Sequence, residues 1–394
     1  VMRFAQNSEE NSNWYLDRLT EEDFATMTTA FFPPTEHQLS ELSGIKFWPS
    51  VCSFYGECNQ TKIQMYNQAA AEEAGAEFYF GTTAEYIIME NGAVAGLVAS
   101  DADGYVKITC KAVVCACGGM GGNPDMMAYF MPDMAQALVE GESLNSMSAN
   151  DGRGVQMAYW AGAHLETTPI PGMNMKGLSV PGKMNCLPQA VWIDESGKRF
   201  CNETVPMSSL NISMSATYKP EDRGIHYRIF DSKTEGAVEG IPGVPPVALV
   251  GEGSAWMDPE TVVSGNTLEE LCEVAGIPVQ EGVASIERYN ELCAKGTDDD
   301  FGVAGSDMAA IDTPPFFCIK GDVGISGINA GIMVDNRYRV TDGEGNPIPG
   351  LYAAGIQAGN PCGGINWNMP GGFSNAHIFT AGRYTVIHAL TGDM

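Results

Sequence analysis

Hydrophobic and polar positions divide the chain into a helical start, a strand-rich middle and a helical end. Residues 1–50 place Leu16, Leu19, Phe24 and Phe31 on an irregular apolar pattern and are expected to be mostly helical. Thr61–Tyr79, dominated by Ala and Glu, predicts a helix that Gly75 stops. Glu77–Thr83 and Glu85–Met89 then read as short strands. Asn91–Gly92 makes a turn, and Val94–Ser100 returns as a strand. After a turn at Asp101–Gly104, one buried strand is expected over Val106–Ala116. A helix, a hairpin and an apolar strand in that order predict an α/β arrangement.

Farther on, NDGRGVQMAYWAGA (150–163) reads as a glycine loop and a short helix ending at Gly162. From about residue 165 to 255 the chain is rich in Pro, Gly, Met and Ser, with strands expected at Ala190–Ile193 and Tyr227–Phe230. Thr267–Ala275 and Val283–Lys295 read as helices. Thr297–Asp312 reads as a loop whose acidic run, Asp298–Asp300, is expected to be solvated. Strands are expected at Gly331–Val334 and Gly350–Ala354, and a last helix from about Ser374.

Composition narrows the function. The 394 residues suffice for two or three domains. A net charge of −28 should repel phosphate backbones, which argues against a nucleic-acid partner. No apolar run is long enough for a membrane span. The 11 cysteines, odd in number and scattered, are no small disulfide scaffold; most lie in apolar strings, which suggests a reducing or anaerobic setting. Cys115/Cys117 and Cys52/Cys58 form no pair of C-x2-C units, so no metal centre is expected. Alternation over VVCAC instead predicts one strand face carrying Val113, Cys115 and Cys117 as buried packing groups. The first residues lack a signal-peptide pattern and start in mid-helix, as though upstream sequence were absent.

Four glycine clusters could approach a dinucleotide: Cys117-Gly118-Gly119, Asn150–Gly154, Gly350–Gly355 and Gly371–Ala376. Glycine lets the backbone come close to a ligand, and amides at a following helix start can hold an anion. Ser374 and Asn375 are expected to cap the last helix. No G-x-G-x-x-G opens a helix after a strand; Gly119–Pro124 lacks the third glycine.

In order, these clusters resemble the flavoprotein subunit family of fumarate reductases and succinate dehydrogenases, which includes soluble fumarate and urocanate reductases and 3-ketosteroid dehydrogenases. VVCACGGMGGN resembles its strand and A-T-G-G turn, NDGRGVQMAYWAGA its T-G-D-G and helix, and ESGKRFCNE its G-K-R-F-x-N-E signature. TLEELCEVAGIP with VASIERYNELCAK resembles the paired helices of its capping domain, and GIMVDNRYRVTDGEGNPIPGLYAAG its C-terminal strand pair. The resemblance implies an α/β, partly Rossmann-like FAD-binding domain (1–164 and 328–394) with an inserted α+β cap (165–327). It implies FAD as cofactor, hydride transfer from flavin N5 to a polarised C=C bond, a protein acid for the proton, and an electron-donor protein or domain. By position it carries FAD contacts onto Ala84, Ala116, Gly118, Gly119, Asp151, Gly355, Ile356, Ser374 and Asn375. It leaves the compartment open between cytoplasmic and exported, and the reaction direction open between reductase and dehydrogenase.

The departures are as informative. The family's dinucleotide fingerprint and ribose-binding acid belong N-terminal to every matched motif and are not in this sequence. A fragment or truncated form is expected, one that binds FAD weakly or remains a non-catalytic remnant. The fumarate-specific His falls on Ile170, the proton-donating Arg on Met207, and the second carboxylate-binding Arg on the stretch holding Trp367 and Asn368. Losing bidentate Arg clamps removes the grip on a dicarboxylate, so a substrate other than fumarate, aromatic or cyclic, is expected. Ile170, Met207, Trp367 and Asn368 become pocket candidates, with Met173, Met175, Met184 and Met214 as a soft wall or as core filling. Tyr218, His226, Tyr227 and His377 are the titratable groups nearby, with packing roles the commoner expectation.

Overall fold

The computed structural model describes residues 2–32, 50–132, 150–166, 170, 172–173, 179–180, 183–184, 190–203, 225–233, 262–321, 327–328, 331–359 and 373–392. Helix α1 (Met2–Leu16) leads to α2 (Glu21–Thr26), which starts on a capping box between Thr20 and Asp23. The next residues correct the helical expectation. MTTAFF is strand β1 (Met27–Phe32), paired antiparallel with β2 (Ser50–Gly56). β-branched and aromatic residues with a partner strand outweigh the weak helical pattern.

Helix α3 (Gln60–Glu73) is capped by Asn59, whose side chain accepts from the Thr61 and Lys62 amides. Gly75 then turns the chain at φ +95°. An antiparallel meander follows: β3 (Thr83–Glu90), β4 (Ala93–Asp101) and β5 (Gly104–Thr109). Asn91 and Gly92 both have positive φ, as a two-residue hairpin requires. Residues 77–80 are not a strand, and Phe78, Tyr79 and Phe80 are exposed. The expected strand over Val106–Ala116 is two strands in different sheets, because β5 ends at Thr109 and β6 (Val113–Cys115) joins another partner. Since β6 stops at Cys115, Cys115 is buried but Cys117 is exposed, which overturns the shared-face reading of the two thiols.

Helices α4 (Pro124–Phe130) and α5 (Arg153–Trp160) complete this layer. Strands β7 (Val191–Asp194), β8 (His226–Asp231) and β9 (Val262–Gly265) come next. Helices α6 (Leu268–Ala275) and α7 (Val279–Lys295) each end on a left-handed glycine, and β10 (Phe316–Gly321) closes an antiparallel sheet of order β7-β8-β10-β9. Residues 331–334 make only isolated bridges rather than the expected strand. The chain returns through β11 (Arg339–Thr341) and β12 (Pro347–Ala353); β12 lies between β11 and β6 and runs parallel to β6. Helix α8 (Phe373–Thr391) packs against α1, where Tyr15 stacks on Phe379 at 4.1 Å. Because α8 begins at Phe373, Ser374 and Asn375 lie inside its first turn rather than at the cap.

Among the described residues, the two largest buried clusters are these. The main core joins Ile87, Cys115, Met127, Phe130, Val155, Ile332 and Leu351; the second joins Val191, Ile193, Tyr227, Ile229, Leu271, Ile286 and Cys318. Alternation along β7 splits its residues between them, with Trp192 in the main core and its two neighbours in the second. Asp298 is not solvated: it is 7% exposed and takes two hydrogen bonds from Arg199. Loop charge suggested exposure, but the guanidinium it serves is itself buried.

Candidate functional site

The parallel pair β6–β12 sets the site. Cys115 lies opposite Ala353, and the Ala354 amide donates to the Cys115 carbonyl at 2.9 Å. Both strands therefore release their chains at the same end, as Ala116-Cys117-Gly118-Gly119 and as Ala354-Gly355-Ile356-Gln357. In open α/β sheets, ligands bind beyond the carboxyl ends of the strands. Gly118 (φ +88°) and Gly355 (φ +77°) adopt backbone that side chains resist. Among the described residues, none lies within 4 Å of where a β-carbon on Gly355 would sit.

A third loop closes on the first. The Gly122 amide donates to the Asn150 carbonyl (2.8 Å), the Gly152 amide to the Gly119 carbonyl (3.2 Å), and Asn123 Nδ2 to the Asp151 carbonyl (3.0 Å). Gly152 is left-handed and precedes α5, whose Arg153 amide donates to Asp151 Oδ1 at 2.9 Å. Arg153 also reaches Glu85 on β3 at 3.1 Å, bringing the strand of Ala84 to the same end. The structure thus gathers Ala84, Ala116, Gly118, Gly119, Asp151, Gly355 and Ile356. Helix α8, whose first turn holds Ser374 and Asn375, packs against the Gly355–Gln357 turn. Met207, Trp367 and Asn368 lie outside the described residues. Ile170 is 4% exposed, packed in the main core with its amide on the Phe130 carbonyl.

Sequence reasoning missed two features. Gln357 is fully buried, and among the described residues neither Nε2 nor Oε1 has a hydrogen-bond partner. Its signal was one polar residue in the small, apolar run GLYAAGIQAG. The second is a stack on the β7–β8 face turned toward the main core: His226 lies parallel to Trp192 at 5.3 Å, and the Arg228 guanidinium lies over the Trp192 ring at 5.0 Å. All three are buried. Tyr227 points the other way, into the second core, where burial pushes its hydroxyl up to about 12. Tyr218 lies outside the described residues. His377 lies near Tyr338, and burial lowers it to about 4, so it is neutral near pH 7. Burial holds the Cys115 thiol up at about 12. Among the described residues no cluster of His, Cys, Asp or Glu is placed to hold a metal, and no helix is long and apolar enough to cross a membrane.

Backbone-exposing loops at strand ends and, among the described residues, an unsatisfied buried amide fit a dinucleotide better than a metal. A sequence-family profile described as an FAD binding domain matches residues 23–373. The chain belongs to this FAD-binding family. It is 28% identical to the urocanate reductase of Eggerthella lenta over 77% of its own length and 48% of the relative's. It is 27% identical to the vinyl phenol reductase of Lactiplantibacillus plantarum over 82% and 69%. The fold matches a 3-ketosteroid-Δ4-(5α)-dehydrogenase from Rhodococcus jostii with a TM-score of 0.70 at 18% identity, over 98% of this chain and 78% of that one. The FAD-binding chain spans about half the length of the urocanate reductase it matches. Its cofactor is FAD, and its fold is that of the FAD-dependent fumarate reductases and steroid dehydrogenases.

Proposed function

We propose that this chain forms the flavin-binding and substrate-facing parts of an oxidoreductase that saturates an activated C=C bond in a small organic molecule other than fumarate, with the alkene conjugated to an aromatic or cyclic group. The carrying observation is the convergence of three glycine-bearing loops beyond the ends of β6 and β12. Residues 1–164 and 328–394 make the flavin side, and residues 165–327 make the cap. Bound at the loops, FAD supplies hydride transfer to the alkene.

The chain's own residues bind and orient. Gly118, Gly119 and Gly355 let backbone approach the dinucleotide, with Ala84, Ala116, Asp151 and Ile356 beside them. Amides in the first turn of α8, at Ser374 and Asn375, offer N–H groups to the ring system. On the cap side, Trp192, His226 and Arg228 give the β7–β8 face an aromatic and cationic character. Met207, uncharged where the resemblance carries a proton-donating Arg, supports a substrate without two carboxylates. The names of the urocanate and vinyl phenol reductases support reduction, and vinyl phenol is itself an alkene on an aromatic ring. Electrons reach the flavin from a donor protein or domain.

The test loads the chain with FAD, reduces it anaerobically with dithionite and mixes it with a panel of alkenes. Rapid reoxidation by aryl-conjugated alkenes and slow reoxidation by fumarate are expected. Fast reoxidation by fumarate would contradict the substrate class, and no response to any alkene would contradict the reaction.

A further inference from the structure

We propose that the Gln357 side-chain amide is a direct contact for a hydroxyl-bearing part of bound FAD, its ribityl chain or its ribose. The inference rests on the FAD reading above and names a residue for it. Gln357 is held by its backbone: its carbonyl accepts from the Ile332 amide at 2.8 Å, and it closes the turn that begins at Gly355. Its side chain lies in the angle between all three loops. A β-carbon on Gly154 would sit 2.4 Å from Gln357 Oε1 and 3.1 Å from Cys117 Sγ. Gly154, with no side chain, is what leaves room for the amide there.

A primary amide presents two donors and an acceptor. Left dry and unpartnered it is costly, and native structures rarely keep such a group without a use. The Cys117 thiol beside it is a weak partner, and among the described residues no other group bonds to it. The missing partner must both donate and accept. A phosphate oxygen only accepts, and would leave Oε1 unpaired. A sugar-type hydroxyl does both, and flavin nucleotides carry several in a row. Gly355, two residues away, has no described residue within 4 Å of its β-carbon position, and this is the side from which we place the approach.

The test measures FAD affinity of the full chain by flavin fluorescence for the wild type, Gln357→Leu and Gln357→Met, with thermal unfolding of each without FAD. Both substitutions keep the volume and remove the polar atoms. About a tenfold loss of affinity is expected for each, with the unfolding midpoint without FAD unchanged or raised. FMN and ADP, titrated separately, distinguish the two hydroxyl sources: the one whose affinity falls in the variants carries the contact. Unchanged FAD affinity in both variants would overturn the inference while leaving the FAD reading intact. A lowered midpoint without FAD would overturn it too, since a buried water would then be the amide's partner. A wild-type chain that binds no FAD would overturn both.

Discussion

Arg199 and Asp298 stand 99 residues apart in sequence and meet in a two-armed ion pair, with Nη1–Oδ1 at 3.0 Å and Nη2–Oδ2 at 2.8 Å. The same guanidinium holds Glu203 through Nε at 2.7 Å and Nη2 at 2.6 Å, and it lies over the rings of Tyr289 and Phe301. Glu203 in turn accepts from the Trp192 amide at 3.3 Å. One buried cation therefore ties the β7 hairpin to α7 and to the loop after it.

Removing that cation strands two buried carboxylates. Arg199→Met is expected to destabilise the chain by about 3–5 kcal/mol. Urea unfolding followed by tryptophan fluorescence checks it, since Trp192 sits one layer away. A loss within 1 kcal/mol would mean that the pair behaves as a surface bridge.

The pair also predicts an acid dependence. Burial pushes the Asp298 carboxyl up, but the Arg199 bonds and the Val303 and Phe301 amides outweigh it and hold it lowered to about 2 from an ordinary 3.8. A lowered folded pKa means that the stabilisation is complete above 3.8 and is lost as pH falls toward 2. The amount is about 2 kcal/mol. Glu203, raised by burial, acts in the opposite sense and offsets part of the loss. Unfolding midpoints measured from pH 5 to pH 2 should fall for the wild type and fall less for Asp298→Asn.

Gly350 marks where β12 comes against β4 of the β3–β5 sheet. Its φ is +79°, and a β-carbon there would lie 2.8 Å from the Lys111 carbonyl and 3.0 Å from Val94 Cβ. Gly350→Ala is expected to cost about 1–3 kcal/mol and to loosen β12 from β6. A lowered melting temperature together with weaker FAD retention checks it.

Gly118 tests the site itself. A β-carbon there would lie 2.3 Å from Asn150 Oδ1, in backbone at φ +88°. Gly118→Ala should push apart the first and third loops and lower FAD affinity at least tenfold, for a stability loss of about 1–2 kcal/mol. Equal affinity in the variant would mean that the two loops do not share the ligand.

Much of this was legible in local sequence because its cause is local. Gly75 turning the chain after α3, Asn91–Gly92 turning the hairpin and Gly162 following α5 depend on neighbours a few residues away. The errors came where distant partners decide. MTTAFF became a strand because Ser50–Gly56 pairs with it, and residues 77–80 stayed out of a sheet. Asp298 is buried because Arg199 comes to it from residue 199. Cys117 left its expected face because β6 ends early against β12. The glycine loops were visible as motifs, but the orphaned Gln357 amide was not, since its environment comes from residues 117, 154 and 332.

The most direct test of the central claim is titration of the full chain with FAD, followed by flavin fluorescence quenching and by the rise in melting temperature. Saturable quenching at one FAD per chain, with a concentration-dependent rise in melting temperature that Gly118→Ala weakens, is the result predicted. FAD that keeps its free fluorescence and leaves the melting temperature unchanged would contradict it.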